Sequence, residues 1–153
     1  MGLEELYREV IIDHFRNPRH RTPLDSVDAH AEGNNPLCGD RIELDLALAN
    51  GTVTGVATRG QGCSISQASA SMMSNAISGK TMEEISELAA TFKAMMTTDE
   101  QVLDEERPGS VLGDLEALQG VRRFPVRIKC ANLAWAALEQ ALAGESNSAT
   151  TSE

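Results

Sequence analysis

Three cysteines and one aspartate are the side chains of this sequence best suited to chemistry. Cys38 and Asp40 are separated only by Gly39, so at the start of a strand both side chains would point to the same side. Cys63 and Cys130 are the other two thiols. Three thiolates and one carboxylate satisfy the tetrahedral coordination that zinc prefers, and such soft ligands disfavour magnesium and calcium. We therefore predict a zinc site at Cys38, Asp40, Cys63 and Cys130.

Two of these ligands also have a simpler structural interpretation. A free cysteine on an apolar helix face, such as Cys130, is often a small buried hydrophobic residue. Asp40 follows a glycine, where a carboxylate commonly caps the backbone amides of a turn. Cys38 and Cys63 lie in glycine-containing turns beside polar residues, where packing explains a cysteine poorly. From the residues alone, both interpretations of Cys130 and Asp40 stay open.

A β-hairpin is predicted to bring part of this site together. Alternating apolar residues over 42–48 predict a strand, Asn50-Gly51 is the strongest short signal for a hairpin turn, and residues 52–58 predict the return strand. The end of the return strand then lies beside the start of the first strand, which is expected to bring Cys63 close to Cys38 and Asp40. Nothing in the periodicity fixes where the last helix docks.

The other elements are predicted to be helices joined by loops. Helices are predicted over 3–16, from the residues after Cys63 to Gly79, from Thr81 to about Met95, over 112–118, and from Pro125 onward. Residues 17–40 and 97–110 are predicted to be loops. We therefore expect an α+β fold in which helices pack against a small antiparallel sheet. It should form a single domain over 1–143, followed by a disordered polar tail over 144–153.

Composition and charge narrow the classes of function. The formal net charge of −10, with no dense cluster of Lys and Arg, argues against nucleic acid as a partner. The acidic N-terminal segment has no signal-peptide core, and no run of about 18 apolar residues occurs, so we expect a cytoplasmic protein that does not enter membranes. Its three cysteines are then expected to be free thiols or metal ligands. No histidine adjoins a cysteine in the sequence, which disfavours cysteine hydrolase chemistry.

Several short motifs occur in a fixed order along the chain. They are Leu6-Tyr7-Arg8, Asp13-His14-Phe15, Asn17-Pro18, Asn35-Pro36-Leu37-Cys38-Gly39-Asp40, Gly62-Cys63-Ser64-Ile65-Ser66, Ala117-Leu118-Gln119-Gly120 and Pro125-Val126-Arg127-Ile128-Lys129-Cys130. Together they resemble the SufU branch of the IscU/NifU N-terminal scaffold family, whose members act in iron–sulfur cluster assembly. The resemblance runs from about Leu3 to Ala143.

The resemblance implies a zinc site at Cys38, Asp40, Cys63 and Cys130. It also implies a pyridoxal-phosphate cysteine desulfurase of the SufS type as the partner, with cluster assembly proteins downstream. In this family, a histidine of the desulfurase replaces one zinc ligand, and the residue matching Cys38 is freed to attack the desulfurase persulfide. Arg127 matches a family arginine that assists this exchange. Zinc-bound thiolates stay deprotonated but are weak nucleophiles, so release of a ligand would switch the attack on.

Two departures from the IscU-type members distinguish the branches of the family. Those members have a histidine directly before the last cysteine, where this chain has Lys129. They also carry a Leu-Pro-Pro-Val-Lys chaperone motif, where this chain has Phe124-Pro125-Val126-Arg127. These departures favour a zinc-dependent sulfurtransferase. Two alternatives stay open: a scaffold on which an iron–sulfur cluster is assembled at the same ligands, and a binding module in which zinc is purely structural.

Overall fold

A computed structural model describes residues 3–36, 39–97, 103, 106–107 and 109–144. The elements are helix α1 (Leu3–Arg16), strands β1 (Ala29–Asn35), β2 (Asp40–Ala49) and β3 (Thr52–Gln61), helices α2 (Ser64–Ile77) and α3 (Met82–Thr97), a 3₁₀ helix (Gly113–Arg123) and helix α4 (Pro125–Gly144). Cys38 lies outside the described residues, as does the predicted tail beyond Gly144. None of the helices in the described part of the chain is long and apolar enough to cross a membrane.

The three strands form one antiparallel sheet in the order β1-β2-β3. Strands β2 and β3 are the predicted hairpin, joined at Asn50 and Gly51, whose φ angles of 54° and 75° suit a type I′ turn. Their pairing extends to Arg41 opposite Gln61. The residues that flank the hairpin therefore meet at its open end. The predicted hairpin and the α+β fold class are both confirmed.

The loop predicted over 17–40 is wrong in its second half, where Ala29–Asn35 forms β1. The buried positions of this strand are two alanines, a glycine and an asparagine, which lack the β-branched and aromatic residues typical of strands. Small residues are required there because α4 packs closely against β1. A Cβ atom on Gly33 would lie 3.2 Å from the Leu133 carbonyl oxygen.

The inner face of the sheet is the hydrophobic core, covered by α2 and α4. Ile42, Leu44 and Leu46 of β2 are fully buried on this face. Phe92 of α3 stacks on Trp135 of α4, with ring centroids 4.7 Å apart and an interplanar angle of 16°. Aliphatic side chains and methionines make up most of the rest of the core, as the low aromatic content predicts. Helix α4 is thereby fixed against both the sheet and α3.

Local signals set the starts of two helices as predicted. Thr81 N donates to Glu84 Oε1 (3.0 Å), and Glu84 N donates to Thr81 Oγ1 (3.2 Å), which is the reciprocal pairing of a capping box at the start of α3. Pro125 begins α4, where its missing N–H would in any case have no partner within the helix.

The short helix predicted over 112–118 is a longer 3₁₀ helix that ends at Arg123. Its last turn is closed by a hydrogen bond from Phe124 N to Val121 O (2.9 Å), the three-residue spacing of a 3₁₀ helix. The buried Glu116 carboxylate accepts hydrogen bonds from three backbone N–H groups of the preceding residues, at 2.9 to 3.0 Å. These bonds hold the start of the 3₁₀ helix, so α4 follows it with a fixed direction.

Candidate metal centre

Asp40 lies at the open end of the hairpin and links its two strands. Its Oδ1 accepts a hydrogen bond from Cys63 N (2.8 Å), and its Oδ2 lies 3.7 Å from Cys63 Sγ. The Asp40 side chain thus caps a backbone amide, but one that is distant in sequence rather than in its own turn. One carboxylate oxygen stays beside a thiol, so capping and ligation are compatible.

Gly62 makes this contact possible. Its φ of +139° is a backbone conformation that L residues rarely adopt. A Cβ atom at this position would lie 2.8 Å from Asp40 Cα and would overlap Asp40 Oδ1. The glycine therefore leaves the space in which the Asp40 carboxylate reaches Cys63.

Cys63 is the N-cap residue of α2. Its Sγ accepts a hydrogen bond from Ser66 N (3.5 Å), and Ser66 Oγ donates to Cys63 O (3.1 Å). Serine, threonine, aspartate and asparagine are the usual residues at this position. A cysteine here places a partly buried side chain at the start of a helix, where its sulfur contacts both Ser66 N and Asp40 Oδ2.

Cys130 completes the cluster from α4, and it is fully buried. One ligand atom from each of Asp40, Cys63 and Cys130 lies within 4.8 Å of the other two. Helix α4 is held in place here by a hydrogen bond from Ser69 Oγ of α2 to Ala131 O (2.7 Å). We call Asp40, Cys63 and Cys130 the thiol cluster. The structure therefore shows that the last helix docks at the open end of the hairpin, a position that the sequence periodicity did not predict.

The thiol cluster places three acidic groups, one carboxyl and two thiols, close together. Burial, followed by the hydrogen bonds that the protonated thiol makes with Asp40 and Cys63, raises the pKa of the Cys130 thiol strongly. Arg127 is the nearby cation: the charge of Cys63, with hydrogen bonds to Cys130 and Cys63, raises the pKa of its guanidinium. An added cation would stabilise the deprotonated form of these acids.

Asn35 is a buried side chain beside the cluster that the sequence analysis did not assign to the site. It lies opposite Asp40 in the β1–β2 register, on the inner face of the sheet, and is 2% exposed. Among the described residues its Oδ1 accepts no hydrogen bond. The Asn35-Pro36 motif could have drawn attention to it, but its orientation depends on β1, which was predicted to be a loop.

The structure brings together three of the four predicted zinc ligands, and the predicted catalytic Arg127 lies beside them. Cys38 lies outside the described residues, so its place relative to the cluster stays a prediction, as does metal binding itself. Each of the three histidines contacts groups other than the described cysteines: His14 contacts Ser71 and Asp114, His20 contacts Asn75, and His30 contacts Asp45.

A second group of potential ligands lies on the outer face of the sheet. One ligand atom from each of His30, Glu32 and Glu43 lies within 4.8 Å of the other two. We call these three residues the charge ladder. Arg41 Nη2 lies 2.8 Å from a Glu32 oxygen and 3.5 Å from a Glu43 oxygen, so a guanidinium already balances these carboxylates.

A three-stranded antiparallel sheet, packed by helices and carrying a cysteine–aspartate cluster at its hairpin end, defines the class of this protein. Residues 6–131 match the NifU-like N terminal domain. The chain therefore belongs to the NifU-like N-terminal domain family.

Several relatives of the chain are similar over nearly its whole length. It is 48% identical to the zinc-dependent sulfurtransferase SufU of Bacillus subtilis (strain 168), over 94% of each chain. It is 42% identical to the iron–sulfur cluster assembly scaffold protein IscU of Streptococcus pyogenes serotype M1, over 95% of this chain and 87% of that protein. A crystal structure from Fervidobacterium islandicum AW-1, described as a scaffold protein for the SUF system, matches with a TM-score of 0.78 at 33% identity, over 92% and 99% of the two chains. The predicted resemblance is confirmed.

The donor set of the thiol cluster fits zinc. Two thiols and one carboxylate are ligands that zinc accepts, and their separations of up to 4.8 Å are compatible with one tetrahedral ion. Two of the three groups, Asp40 and Cys130, are buried, where uncompensated negative charge is unfavourable. A divalent cation would balance that charge.

Proposed function

We propose that this protein is a zinc-dependent sulfurtransferase that accepts persulfide sulfur from a cysteine desulfurase for iron–sulfur cluster assembly in the cytoplasm. The observation that carries the proposal is the convergence of Asp40, Cys63 and Cys130 at one end of the hairpin. The 48% identity to a protein named for this activity supports the reaction. The role of the family in iron–sulfur cluster assembly supports a cysteine desulfurase as the partner, and we propose an enzyme of the SufS type.

The residues proposed to hold zinc are Cys38, Asp40, Cys63 and Cys130. Zinc, when bound, keeps its thiolate ligands deprotonated and balances their charge. Asp40 holds the open end of the hairpin together through its hydrogen bond to Cys63 N, whether or not it also binds the metal. Cys63 caps the start of α2 and Cys130 lies in the second turn of α4, so a metal held by both would also tie α2 to α4.

The proposed chemical step is a thiol–persulfide exchange at Cys38. The Cys38 thiolate attacks the outer sulfur of a cysteine persulfide on the desulfurase. The sulfur–sulfur bond of that persulfide breaks, its electron pair stays on the desulfurase cysteine as a thiolate, and a new sulfur–sulfur bond forms on Cys38. The exchange has no net oxidation or reduction, so it needs no further reactant.

Arg127 is proposed to assist this exchange as a fixed positive charge. Its guanidinium lies in hydrogen-bonding contact with the sulfurs of Cys63 and Cys130. A cation at this position favours thiolates over thiols and would attract a negatively charged persulfide. Arg127 therefore stabilises charge without itself exchanging a proton.

A scaffold for cluster assembly is the second candidate, because a relative at 42% identity is named as one. The residue before Cys130 argues against it. Lys129 is exposed on α4, so this position supplies no imidazole to the cluster. A reconstituted iron–sulfur cluster that stays stable and passes to an apo-acceptor would favour the scaffold.

The test is to incubate the purified protein with a SufS-type desulfurase and cysteine. Zinc content and protein-bound persulfide are then measured in the wild type and in Cys38→Ser. We expect stoichiometric zinc in the wild type and persulfide on the wild type only. Zinc without transferred sulfur would overturn the sulfurtransferase and leave zinc with a structural role. Persulfide on Cys38→Ser would assign the acceptor thiol to another cysteine.

A further inference from the structure

Asn35 is a buried polar side chain that the proposed reaction does not use. It is 2% exposed, and no described residue donates a hydrogen bond to its Oδ1. A buried acceptor without a donor costs free energy, because it has lost its hydrogen bonds to water and has gained none in the protein. A leucine, which has a similar branched shape and no polar atoms, would avoid that cost. The asparagine at this position therefore needs a reason other than folding.

The strand register and the packing of α4 place Asn35 beside the metal ligands. It pairs with Asp40 at the end of the β1–β2 ladder, and both side chains are buried on the inner face of the sheet. Side chains paired in this way on antiparallel strands have Cβ atoms about 4.5 to 5.5 Å apart. Gly33, the preceding residue on the same face of β1, packs against Leu133, which lies three residues beyond Cys130 in α4. Asn35 thus lies at the end of β1 nearest the thiol cluster.

Asp40 is held from one side only by the hydrogen bonds described so far. It begins the central strand of the sheet, and the backbone amide of Cys63, which follows β3, donates to its Oδ1 at 2.8 Å. Asn35 lies on the opposite side, on β1. An ionised carboxylate has about four acceptor positions, and a carboxamide carries two N–H donors beside its oxygen. Because no hydrogen bond to Oδ1 fixes the Asn35 carboxamide, rotation about its Cβ–Cγ bond can direct these donors toward Asp40.

We infer that Asn35 is a positioning residue of the metal centre, which donates an N–H hydrogen bond to the Asp40 carboxylate when the site is loaded. This inference rests on the proposed function, since it takes the thiol cluster as a zinc site, and it adds a residue that orients one of the ligands. Carboxylates that bind metals are generally held by such hydrogen bonds, and the loss of one typically lowers metal affinity about 10- to 100-fold. Asn35 itself does not bind the metal.

The orientation of Asp40 matters most during the proposed sulfur transfer. A thiolate ligand offers a single sulfur atom, whereas a carboxylate can turn and offer either oxygen. When Cys38 attacks the persulfide, the other ligands of this chain hold the site without it. Hydrogen bonds from Cys63 N on one side and from Asn35 on the other would keep Asp40 Oδ2 directed at the thiols throughout this step.

The experiment compares Asn35→Leu with a buried polar side chain that has a partner. Ser74 of α2 is fully buried, and its Oγ donates to Ser71 O at 2.7 Å, so Ser74→Ala is the matched control. Zinc affinity is measured by chelator competition, and thermal melting is recorded with and without zinc. We expect Asn35→Leu to lose about 10- to 100-fold in zinc affinity, while its metal-free form melts at or above the wild-type temperature because an unpartnered acceptor has been removed. Ser74→Ala should keep the wild-type zinc affinity and melt lower in both forms.

Cobalt(II) bound in place of zinc separates positioning from packing, because its visible absorption bands respond to the geometry of the ligands. Asn35→Leu and Asn35→Ala should each bind one equivalent of cobalt with a changed spectrum, whereas Ser74→Ala should give the wild-type spectrum. The alanine variant tests the same donor if the leucine variant does not fold. Wild-type affinity and spectrum in the Asn35 variants would overturn the inference. Folded Asn35 variants that bind no cobalt would also overturn it, since Asn35 would then be a ligand.

Failure of this inference is distinguishable from failure of the proposed function. If the wild type acquires persulfide and the Asn35 variants keep its zinc affinity, the function stands and the role of Asn35 falls. If the Asn35 variants lose zinc affinity as expected but the wild type acquires no persulfide, the sulfurtransferase falls and the role of Asn35 stands. A wild type that binds no zinc would overturn both.

Discussion

The thiol cluster and the charge ladder both bring three potential ligands close together, but their chemistry differs. In each, three potential ligand atoms lie within 4.8 Å of one another. The thiol cluster lies at the hairpin end of the inner face, where Asp40 and Cys130 are buried. The charge ladder lies on the outer face, and all three of its residues are partly exposed. The difference shows that proximity of potential ligands is not by itself evidence for a metal site.

The charge ladder carries its own cations. Besides Arg41, Arg59 contacts it: Arg59 Nε lies 3.5 Å from a Glu43 oxygen, and Arg59 Nη1 donates to Asp45 Oδ2 at 3.0 Å. Water and two guanidiniums therefore stabilise its carboxylates. The thiol cluster has Arg127 beside it, yet its buried thiol has a raised pKa. Burial of a thiol, rather than proximity of ligands, thus favours the thiol cluster over the charge ladder as the proposed metal site.

The largest predicted effect is on zinc binding, which a single substitution in each cluster can test. Cys130→Ser should weaken zinc binding by more than the roughly 10- to 100-fold that the loss of an outer partner costs, because it removes a ligand. Glu43→Gln should leave zinc binding unchanged. Zinc content by mass spectrometry and affinity by chelator competition measure both. Loss of zinc from Glu43→Gln, or wild-type affinity in Cys130→Ser, would contradict the distinction between the clusters.

A smaller effect is predicted for the glycine that supports the thiol cluster. Gly62→Ala should weaken zinc binding by about 10-fold or more, because its Cβ would displace the Asp40 carboxylate. Gly51→Ala is the matched control: its φ is also positive, but a Cβ there meets open space. That control should cost about 1 to 2 kcal/mol of folding stability and leave zinc affinity unchanged. Equal zinc affinities in the two variants would mean that Asp40 is dispensable for the site.

The sequence predicted the hairpin and its consequence for the thiol cluster. Asn50-Gly51 sets the register beside the turn, and the hairpin brings Asp40 to Cys63. The turn and the alternation are local, so periodicity and turn chemistry reveal them. A β-bulge between Ala47 and Leu48 shifts the register by one residue, and the sequence did not predict it. The capping box at Thr81 and the start of α4 at Pro125 were predictable for the same reason.

The position of α4 and the presence of β1 were not predictable, because both depend on tertiary packing. Strand β1 has small residues at its buried positions because α4 packs closely against Gly33. This reason cannot be read from the sequence of the strand alone. The orientation of the buried Asn35 follows from that packing, and its place beside the site was missed. Zinc coordination chemistry suggested Cys130 as the fourth ligand, and the family resemblance supplied the role of Arg127; spacing alone could give neither.

The smallest predicted effect tests whether the neighbouring arginines balance the charge of the ladder without a metal ion. Arg59→Met removes a cation from Glu43 and Asp45, and the free energy of unfolding should fall by about 1 kcal/mol or less, since the Arg59 side chain is 37% exposed and solvent screens the pair. Denaturant titration should show the loss shrinking as salt concentration rises, because salt screens the ion pairs that the wild type retains. Arg21→Met, which changes an exposed charge outside the ladder, controls for net charge. Zinc stoichiometry should stay the same in both variants. A second zinc ion bound by the wild type and removed by His30→Ala would show that the arginines do not satisfy the ladder, and burial would then no longer distinguish the two clusters.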